Sequence, residues 1–127
     1  MTEQLFFIVD IRRAWLGDPY VTLWRPRAAG YAWPLTWAGK YTLDQLQEAP
    51  GYYEKRDEDD RRRWARFPVR CEDVEPLAIA PRPGRIDGDA GPVIPNNAAM
   101  RRRLLQMRFR LPTNLTSDLV ELERTAR

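Results

Sequence analysis

The hydrophobic and polar positions in the first half of the chain predict a small antiparallel sheet. Aromatic and β-branched residues dominate QLFFIVDIRR (4–13), and apolar and polar residues alternate in YVTLWRP (20–26), so each segment is predicted to be a strand. YAWPLTW (31–37) also has a period of two, although Pro34 lacks an amide hydrogen and marks this strand as an edge or a bulge. Short links between these strands predict a meander, and RFPVRC (66–71) is predicted to be a fourth strand.

A short helix is predicted after the third strand. Thr42 and Gln45 have the spacing of a capping box, and they predict a helix over 42–49 that Pro50 ends. Further along the chain, EDVEPLAIA (72–80) fits either a helical turn or a bulged extension of the fourth strand.

A longer helix is predicted over 97–111, capped by Asn96 or Asn97. Its apolar stripe consists of Met100, Leu104, Met107 and Leu111. These elements predict an α+β fold, in which an antiparallel sheet of three to five strands is covered on one face by two or three short helices.

Three segments of the predicted single domain, 1–127, lack a clear periodic pattern. The charged segment 54–66 mixes acidic and basic residues, which predicts a solvated loop or a frayed helix held by charge pairs. A dedicated binding patch is the less favoured alternative, because opposite charges this close cancel each other's field. The segment 81–95 is a long loop rich in proline and glycine, and 113–127 is predicted to be a frayed helix or tail.

The composition narrows the possible chemistry. The chain has no histidine and one cysteine, Cys71, which removes the usual general base, the commonest metal ligand and an internal disulfide. Ser117 has no histidine to activate it, and DGD (87–89) matches only a fragment of a calcium loop. We therefore expect no catalytic residue, no metal and no cofactor. The apolar segment 5–11 has no basic flank before it and no apolar run is long enough to span a bilayer, so we expect a cytoplasmic protein without a signal peptide.

Arginine supplies nearly all of the 21 cationic residues. A GC-rich genome explains this bias, and so does a need for planar contacts with carboxylates or phosphates. The net charge of +3 is small for a protein that binds duplex DNA. Arg102, Arg103 and Arg110 are predicted to share the helix face opposite the apolar stripe, where they either face solvent or contact an acidic partner surface or phosphates.

The segment WRPRAAGYAWPLTWAGKYT (24–42) is the main candidate for binding. Its period of two predicts one buried face formed by Tyr31, Trp33, Leu35 and Trp37. Trp24 and the cations Arg25, Arg27 and Lys40 are predicted to cluster at the strand ends, on the rim of the sheet beside those rings. Aromatic and cationic side chains in this arrangement hold single strands and nucleotides, and the same residue types dominate protein–protein hot spots. The candidate binding residues here are Trp24, Arg25, Arg27, Tyr31, Trp33 and Lys40.

Two patches of the chain resemble a group of short, uncharacterised phage and prophage proteins. The first is the pattern W-x-P-x-x-x-G-Y-x-x-x-L-x-x-A-G-x-Y-T at 24–42, and the second is VIPNN at 93–97, which resembles a V-x-P-N helix start. The resemblance implies a mobile-element gene product in a bacterial cytoplasm, and it supplies no catalytic residues to transfer.

The favoured function is a non-enzymatic binding protein, an inhibitor or accessory factor acting on a host or phage protein complex such as an antiviral defence machine. The alternative is a protein that binds nucleotides or single-stranded nucleic acid through Trp24, Tyr31, Trp33 and nearby arginines. A third hypothesis is an enzyme that uses carboxylates and arginine in place of histidine.

Overall fold

The computed structural model describes residues 3–83 and 91–111, and these residues have the predicted α+β fold. One antiparallel sheet contains six strands, three of which are only two residues long. The strands are β1 (Leu5–Asp10), β2 (Thr22–Trp24), β3 (Tyr31–Ala32), β4 (Tyr41–Thr42), β5 (Lys55–Arg56) and β6 (Trp64–Arg70). Short α-helices connect or cover them, namely α1 (Leu43–Glu48), α2 (Pro50–Tyr53), α3 (Cys71–Val74) and α4 (Ala98–Gln106).

Strand β1 is the centre of the sheet, whose order is β3-β2-β1-β6-β5. One edge of β1 pairs with β6 along most of its length, from Phe6 opposite Arg70 to Asp10 opposite Arg66. The other edge is shared, because β4 pairs with the start of β1 and β2 pairs with its end. The predicted meander of the first three strands is confirmed by the pairing of β1 with β2 and of β2 with β3.

Both faces of the sheet are buried, so the expectation that the helices lie on one face is wrong. The Phe7 face carries the larger cluster, in which Leu104 of α4 and Val74 of α3 pack against Phe7 and the strands beside it. The Phe6 face carries a second cluster, in which Leu46 of α1 packs with Phe6. The central strand therefore has no polar side, and this explains why LFFIV is a continuous apolar run.

The third predicted strand ends after two residues. Residues 33–38 turn away from the sheet, and the amide of Trp37 donates to the carbonyl of Pro34 at 3.1 Å. The chain returns at Gly39, whose amide donates to the carbonyl of Trp24 at 2.8 Å. The period of two therefore does not describe one buried face: Leu35 is buried, whereas Tyr31 is 46% exposed and Trp37 is 42% exposed.

The charged segment is a β-hairpin and not a loop or a frayed helix. It contains β5, a turn and the start of β6, with Arg56 opposite Trp64. Asp57 and Arg63 close the turn, since the amide of Asp57 donates to the carbonyl of Arg63 and their side chains form an ion pair at 2.9 Å. The guanidinium of Arg56 lies 4.2 Å from the centre of the Trp64 ring. Charge pairs and ring stacking thus allow a highly charged sequence to form an edge of the sheet.

The two predicted helix starts are confirmed. Thr42 and Gln45 form both hydrogen bonds of the capping box at the start of α1. The side chain of Asn97 accepts the amide of Met100 at 2.8 Å at the start of α4. Of the two alternatives for 72–80, the helical turn is the one observed, as α3 followed by a 3₁₀ turn.

Helix α4 ends at Gln106, before the predicted boundary at 111. The amide of Phe109 donates to the carbonyl of Pro68 at 2.9 Å, so the chain after the helix runs beside β6. As a result Leu111 packs in the cluster on the Phe6 face, and Arg110 does not share a helix face with Arg102 and Arg103. Part of the proline-rich loop and all of the predicted tail lie outside the described residues.

Candidate interaction surface

The aromatic segment is divided between core and surface. Trp24 was predicted at the rim of the sheet, but it is only 4% exposed and belongs to the cluster on the Phe6 face. Its indole nitrogen donates to Oδ2 of Asp10 at 3.0 Å. Tyr31 packs edge-on against one side of the Trp24 ring, and Tyr52 packs edge-on against it as well. Trp24 is therefore a buried ring against which the exposed rings of Tyr31 and Tyr52 pack.

A buried carboxylate fixes the position of these rings. Asp10 is 1% exposed, and it accepts from Nε of Arg12 at 3.0 Å and from Nη2 of Arg12 at 2.6 Å. The guanidinium of Arg12 also lies 3.8 Å from the centre of the Trp15 ring and donates to the hydroxyl of Tyr31 at 3.2 Å. The hydrogen bond with Asp10 raises the pKa of Arg12 above its ordinary value, against the opposing effect of burial. Arg12 therefore remains charged and links the core to Tyr31.

The aromatic cleft is the part of this surface that is open to solvent, and we define it by Arg25, Tyr31, Trp33 and Trp37. Its volume is about 230 Å³. Nε of Arg25 donates to the carbonyl of Tyr31 at 2.9 Å, and the guanidinium lies 5.2 Å from the centre of the Trp37 ring. The structure thus brings together three of the candidate binding residues, and it adds Trp37, which the periodicity had assigned to the predicted buried face.

A strained turn precedes the cleft and presents Arg27. Arg27 has φ 59° and Ala28 has φ 54°, which is the left-handed region that residues other than glycine rarely adopt. The hydroxyl of Tyr41 stabilises this turn because it accepts the amide of Ala28 at 3.0 Å and donates to the carbonyl of Arg25. Burial raises the pKa of Tyr41, so its hydroxyl keeps the proton that it donates.

The other candidate residues lie apart from the aromatic cleft. Lys40 forms a half-exposed ion pair with Glu75 at 3.6 Å. Arg102 and Arg103 are exposed on α4, and Arg110 is exposed beyond the end of that helix. None of these four residues lines the aromatic cleft.

A second cleft, which Arg12 lines, was missed by the sequence reasoning. We call it the basic cleft, and five cationic side chains line it: Arg12, Arg13, Lys55, Arg56 and Arg66. Its volume is about 310 Å³. The only signal in the sequence was the charged segment, whose mixed charges gave no reason to expect that part of it faces Arg12 across a cleft.

The cysteine and the carboxylates bear on thiol chemistry and on metal binding. Cys71 is buried, and burial raises the pKa of its thiol to about 12. Within residues 3–83 and 91–111, no three cysteine or carboxylate side chains are grouped closely enough to hold a metal ion. Asp87, Asp89 and Ser117 lie outside the described residues. Each helix in that part of the chain is too short or too polar to cross a bilayer.

Comparison of the chain with protein-family models, with curated proteins and with solved structures finds no match.

Proposed function

We propose that this chain is a non-enzymatic binding protein that docks another protein in the aromatic cleft. In line with the resemblance to phage and prophage proteins, we propose that it acts in a bacterial cytoplasm as an inhibitor or accessory factor of a host machine such as an antiviral defence complex. The observation that supports this proposal is the pair of exposed rings, Tyr31 and Trp37, which line one cleft together with Arg25.

The residues of the aromatic cleft are the types that dominate the binding energy of protein interfaces. Tryptophan, tyrosine and arginine are enriched at hot spots, where an anchor from the partner fills a pocket and excludes water. Here the backbone is held by hydrogen bonds, from the amide of Arg25 to Gly30 and from Gly39 to Trp24. The hydroxyl of Tyr31 is held by Arg12. A partner that binds these rings therefore loses little affinity to ordering them.

A second candidate function is the binding of a nucleotide or of single-stranded nucleic acid in the same cleft. The stacking of Arg25 on Trp37 favours it, since a base can extend such a stack while the guanidinium meets a phosphate. This function predicts quenching of tryptophan fluorescence by oligonucleotides.

A capture experiment from bacterial host lysate, with and without nuclease, distinguishes the two functions. Wild type is compared with Trp37→Ala, which removes one wall of the aromatic cleft, and with Ile79→Ala as the matched control. Ile79 is 48% exposed and does not line the aromatic cleft. We expect a partner that survives nuclease treatment, that Trp37→Ala loses, and that Ile79→Ala retains. Loss of a hot-spot ring costs about 2 kcal/mol or more, which is roughly 30-fold in affinity.

Three results would oppose protein docking in this cleft. Release of the captured material by nuclease, with quenching by oligonucleotides, favours the second function. Equal retention by Trp37→Ala and by wild type moves the interaction away from the aromatic cleft. If in addition Arg102→Ala combined with Arg103→Ala loses the partner while the variant remains folded, the exposed arginines of α4 are the contact surface.

A further inference from the structure

The basic cleft adjoins the aromatic cleft through one hydrogen bond. Arg12 lines the basic cleft, and its Nη2 donates to the hydroxyl of Tyr31, which lines the aromatic cleft. The two clefts are therefore linked at the contact between Arg12 and Tyr31.

The internal ion pairs leave the basic cleft with a positive excess. Arg12 is neutralised by Asp10, and Lys55 pairs with Glu58 at 3.2 Å. Asp57 pairs with Arg63. Among the described residues, no carboxylate lies within ion-pair distance of the three remaining cations, Arg13, Arg56 and Arg66. Of the three acidic side chains that line the basic cleft, only Asp59 has no ion-pair partner among the described residues. Three unpaired arginines therefore stand against one unpaired carboxylate.

Two of the three unpaired arginines, Arg56 and Arg66, are also held in place. Arg56 lies over the Trp64 ring, and its Nη1 donates to the carbonyl of Arg61 at 3.1 Å. Arg66 lies 5.0 Å from the centre of the Trp24 ring, and its Nε donates to the carbonyl of Tyr52 at 2.6 Å. In each case a nitrogen that makes no such bond remains for a ligand, and an arginine that is already oriented loses less entropy when it binds an oxyanion.

The pattern of charge in the basic cleft suits protein carboxylates better than a phosphate backbone. Asp57, Glu58 and Asp59 line the same cleft as the arginines. Asp57 and Glu58 are compensated by Arg63 and Lys55, but a continuous row of phosphates would meet the uncompensated Asp59 and be repelled by it. An acidic segment of a protein can place single carboxylates on the arginines and leave the positions beside Asp59 to neutral or basic residues.

We propose that the basic cleft binds an acidic segment of the partner protein, next to the aromatic or apolar anchor that occupies the aromatic cleft. This inference rests on the proposed function, because it assigns the chemistry of the partner that docks there. It predicts a partner motif in which an aromatic residue is flanked by aspartate or glutamate.

Two short fluorescein-labelled peptides test this inference. One contains a single tryptophan flanked by glutamate and aspartate, and the other has glutamine and asparagine at those positions. Binding is measured by fluorescence anisotropy, and oligothymidylate serves as the nucleic-acid probe. The test variant combines Arg13→Gln with Arg56→Gln. Its control combines Arg61→Gln with Arg62→Gln, which makes the same change in charge on exposed side chains of the hairpin that do not line the basic cleft.

We expect the acidic peptide to bind more tightly than the neutral one, and its affinity to fall as salt is raised from about 50 mM to about 300 mM. The test variant should bind the acidic peptide about fivefold more weakly than wild type does, because two ion pairs are lost, and its affinity for the neutral peptide should equal that of wild type. Equal affinity for the two peptides overturns the inference, and so does an equal loss in the control variant. Tighter binding of oligothymidylate through the same two arginines overturns it in favour of a phosphate ligand.

Trp37→Ala separates this inference from the proposed function. This variant should bind both peptides more weakly than wild type does, because both peptides carry the tryptophan anchor. If Trp37→Ala binds both peptides as tightly as wild type while the arginine variant binds the acidic peptide more weakly, the aromatic cleft is not the anchor site. The basic cleft then remains the proposed site for an acidic segment. If Trp37→Ala weakens both peptides and the arginine variant weakens neither, docking in the aromatic cleft stands and the assignment of the basic cleft is wrong.

Discussion

Asp10→Asn is the substitution that tests most directly how the proposed binding surface is supported. Oδ2 of Asp10 accepts from Nη2 of Arg12 at 2.6 Å and from Trp24 at 3.0 Å, while Oδ1 accepts from Nε of Arg12 at 3.0 Å and from its amide at 3.2 Å. Asparagine replaces one of these oxygens with an amino group. In either orientation of the amide, that amino group faces two donors, so two hydrogen bonds are lost.

The expected loss of stability follows from the type of each hydrogen bond that is broken. A buried hydrogen bond to a charged group contributes about 1.5–3 kcal/mol, and a neutral one contributes about 1 kcal/mol. The side chain of Arg12 is 32% exposed and recovers part of its hydration when the pair is broken. We therefore expect Asp10→Asn to lower the free energy of unfolding by about 2–3 kcal/mol.

Urea unfolding followed by far-ultraviolet circular dichroism measures this change. The control is Asp60→Asn, because Asp60 pairs at 3.4 Å with Arg62, whose side chain is 93% exposed, and such surface pairs contribute less than about 1 kcal/mol. In the Asp10→Asn background, Trp24→Phe should lower the free energy of unfolding by less than it does in wild type. The reason is that it removes one of the N–H donors that face the new side-chain amide. A coupling of about 1 kcal/mol is expected. The reasoning is refuted if Asp10→Asn costs no more than Asp60→Asn, or if Asp10→Asn and Trp24→Phe are additive.

Two further predictions concern close packing and pH. Gly39→Ala places a Cβ 2.8 Å from backbone atoms of Pro26 and from the Tyr41 ring, so it should lower the free energy of unfolding in urea by about 1–3 kcal/mol. The control is Gly51→Ala, whose Cβ meets nothing within 4 Å, and this variant should be as stable as wild type or more stable. Burial raises the pKa of the Cys71 thiol from 9.0 to about 12, so this thiol loses its proton at a lower pH in the unfolded chain than in the folded protein. Above about pH 9, the free energy of unfolding of wild type should therefore fall more steeply with pH than that of Cys71→Ala. Parallel pH profiles for wild type and Cys71→Ala would contradict this assignment.

The elements that sequence reasoning located are those whose cause is local. A capping box at Thr42 and a cap at Asn97 depend on bonds to residues three positions away, and the apolar run of β1 is visible without knowledge of its neighbours. The boundaries that failed depend on distant partners. Helix α4 ends where Phe109 bonds to Pro68, and nothing in the sequence near Gln106 marks that contact.

The candidate site was predicted in composition but not in geometry. Residues 24–42 do supply the aromatic cleft, yet their period of two reflected a two-residue strand followed by a turn at Pro34. Trp24 was assigned to the rim because alternation alone does not reveal that both faces of the sheet are covered. The basic cleft brings Arg13 together with Arg56, and only the pairing of β1 with β6 and of β6 with β5 makes them neighbours.

A buried carboxylate in a small sheet is costly, and its retention has a physical consequence for the surface above it. Without Arg12 and Trp24 as donors, Asp10 would be an unpaired charge in the core; with them, it fixes the position of a cation and of an indole ring. Arg12 in turn holds the hydroxyl of Tyr31, which lines the aromatic cleft. An apolar residue at position 10 can pack as well or better, but it leaves Arg12 and Tyr31 free to adopt other rotamers. The carboxylate therefore helps to fix the side chains of the proposed binding surface, and fixed rings and charges discriminate among partners that a mobile surface would bind alike.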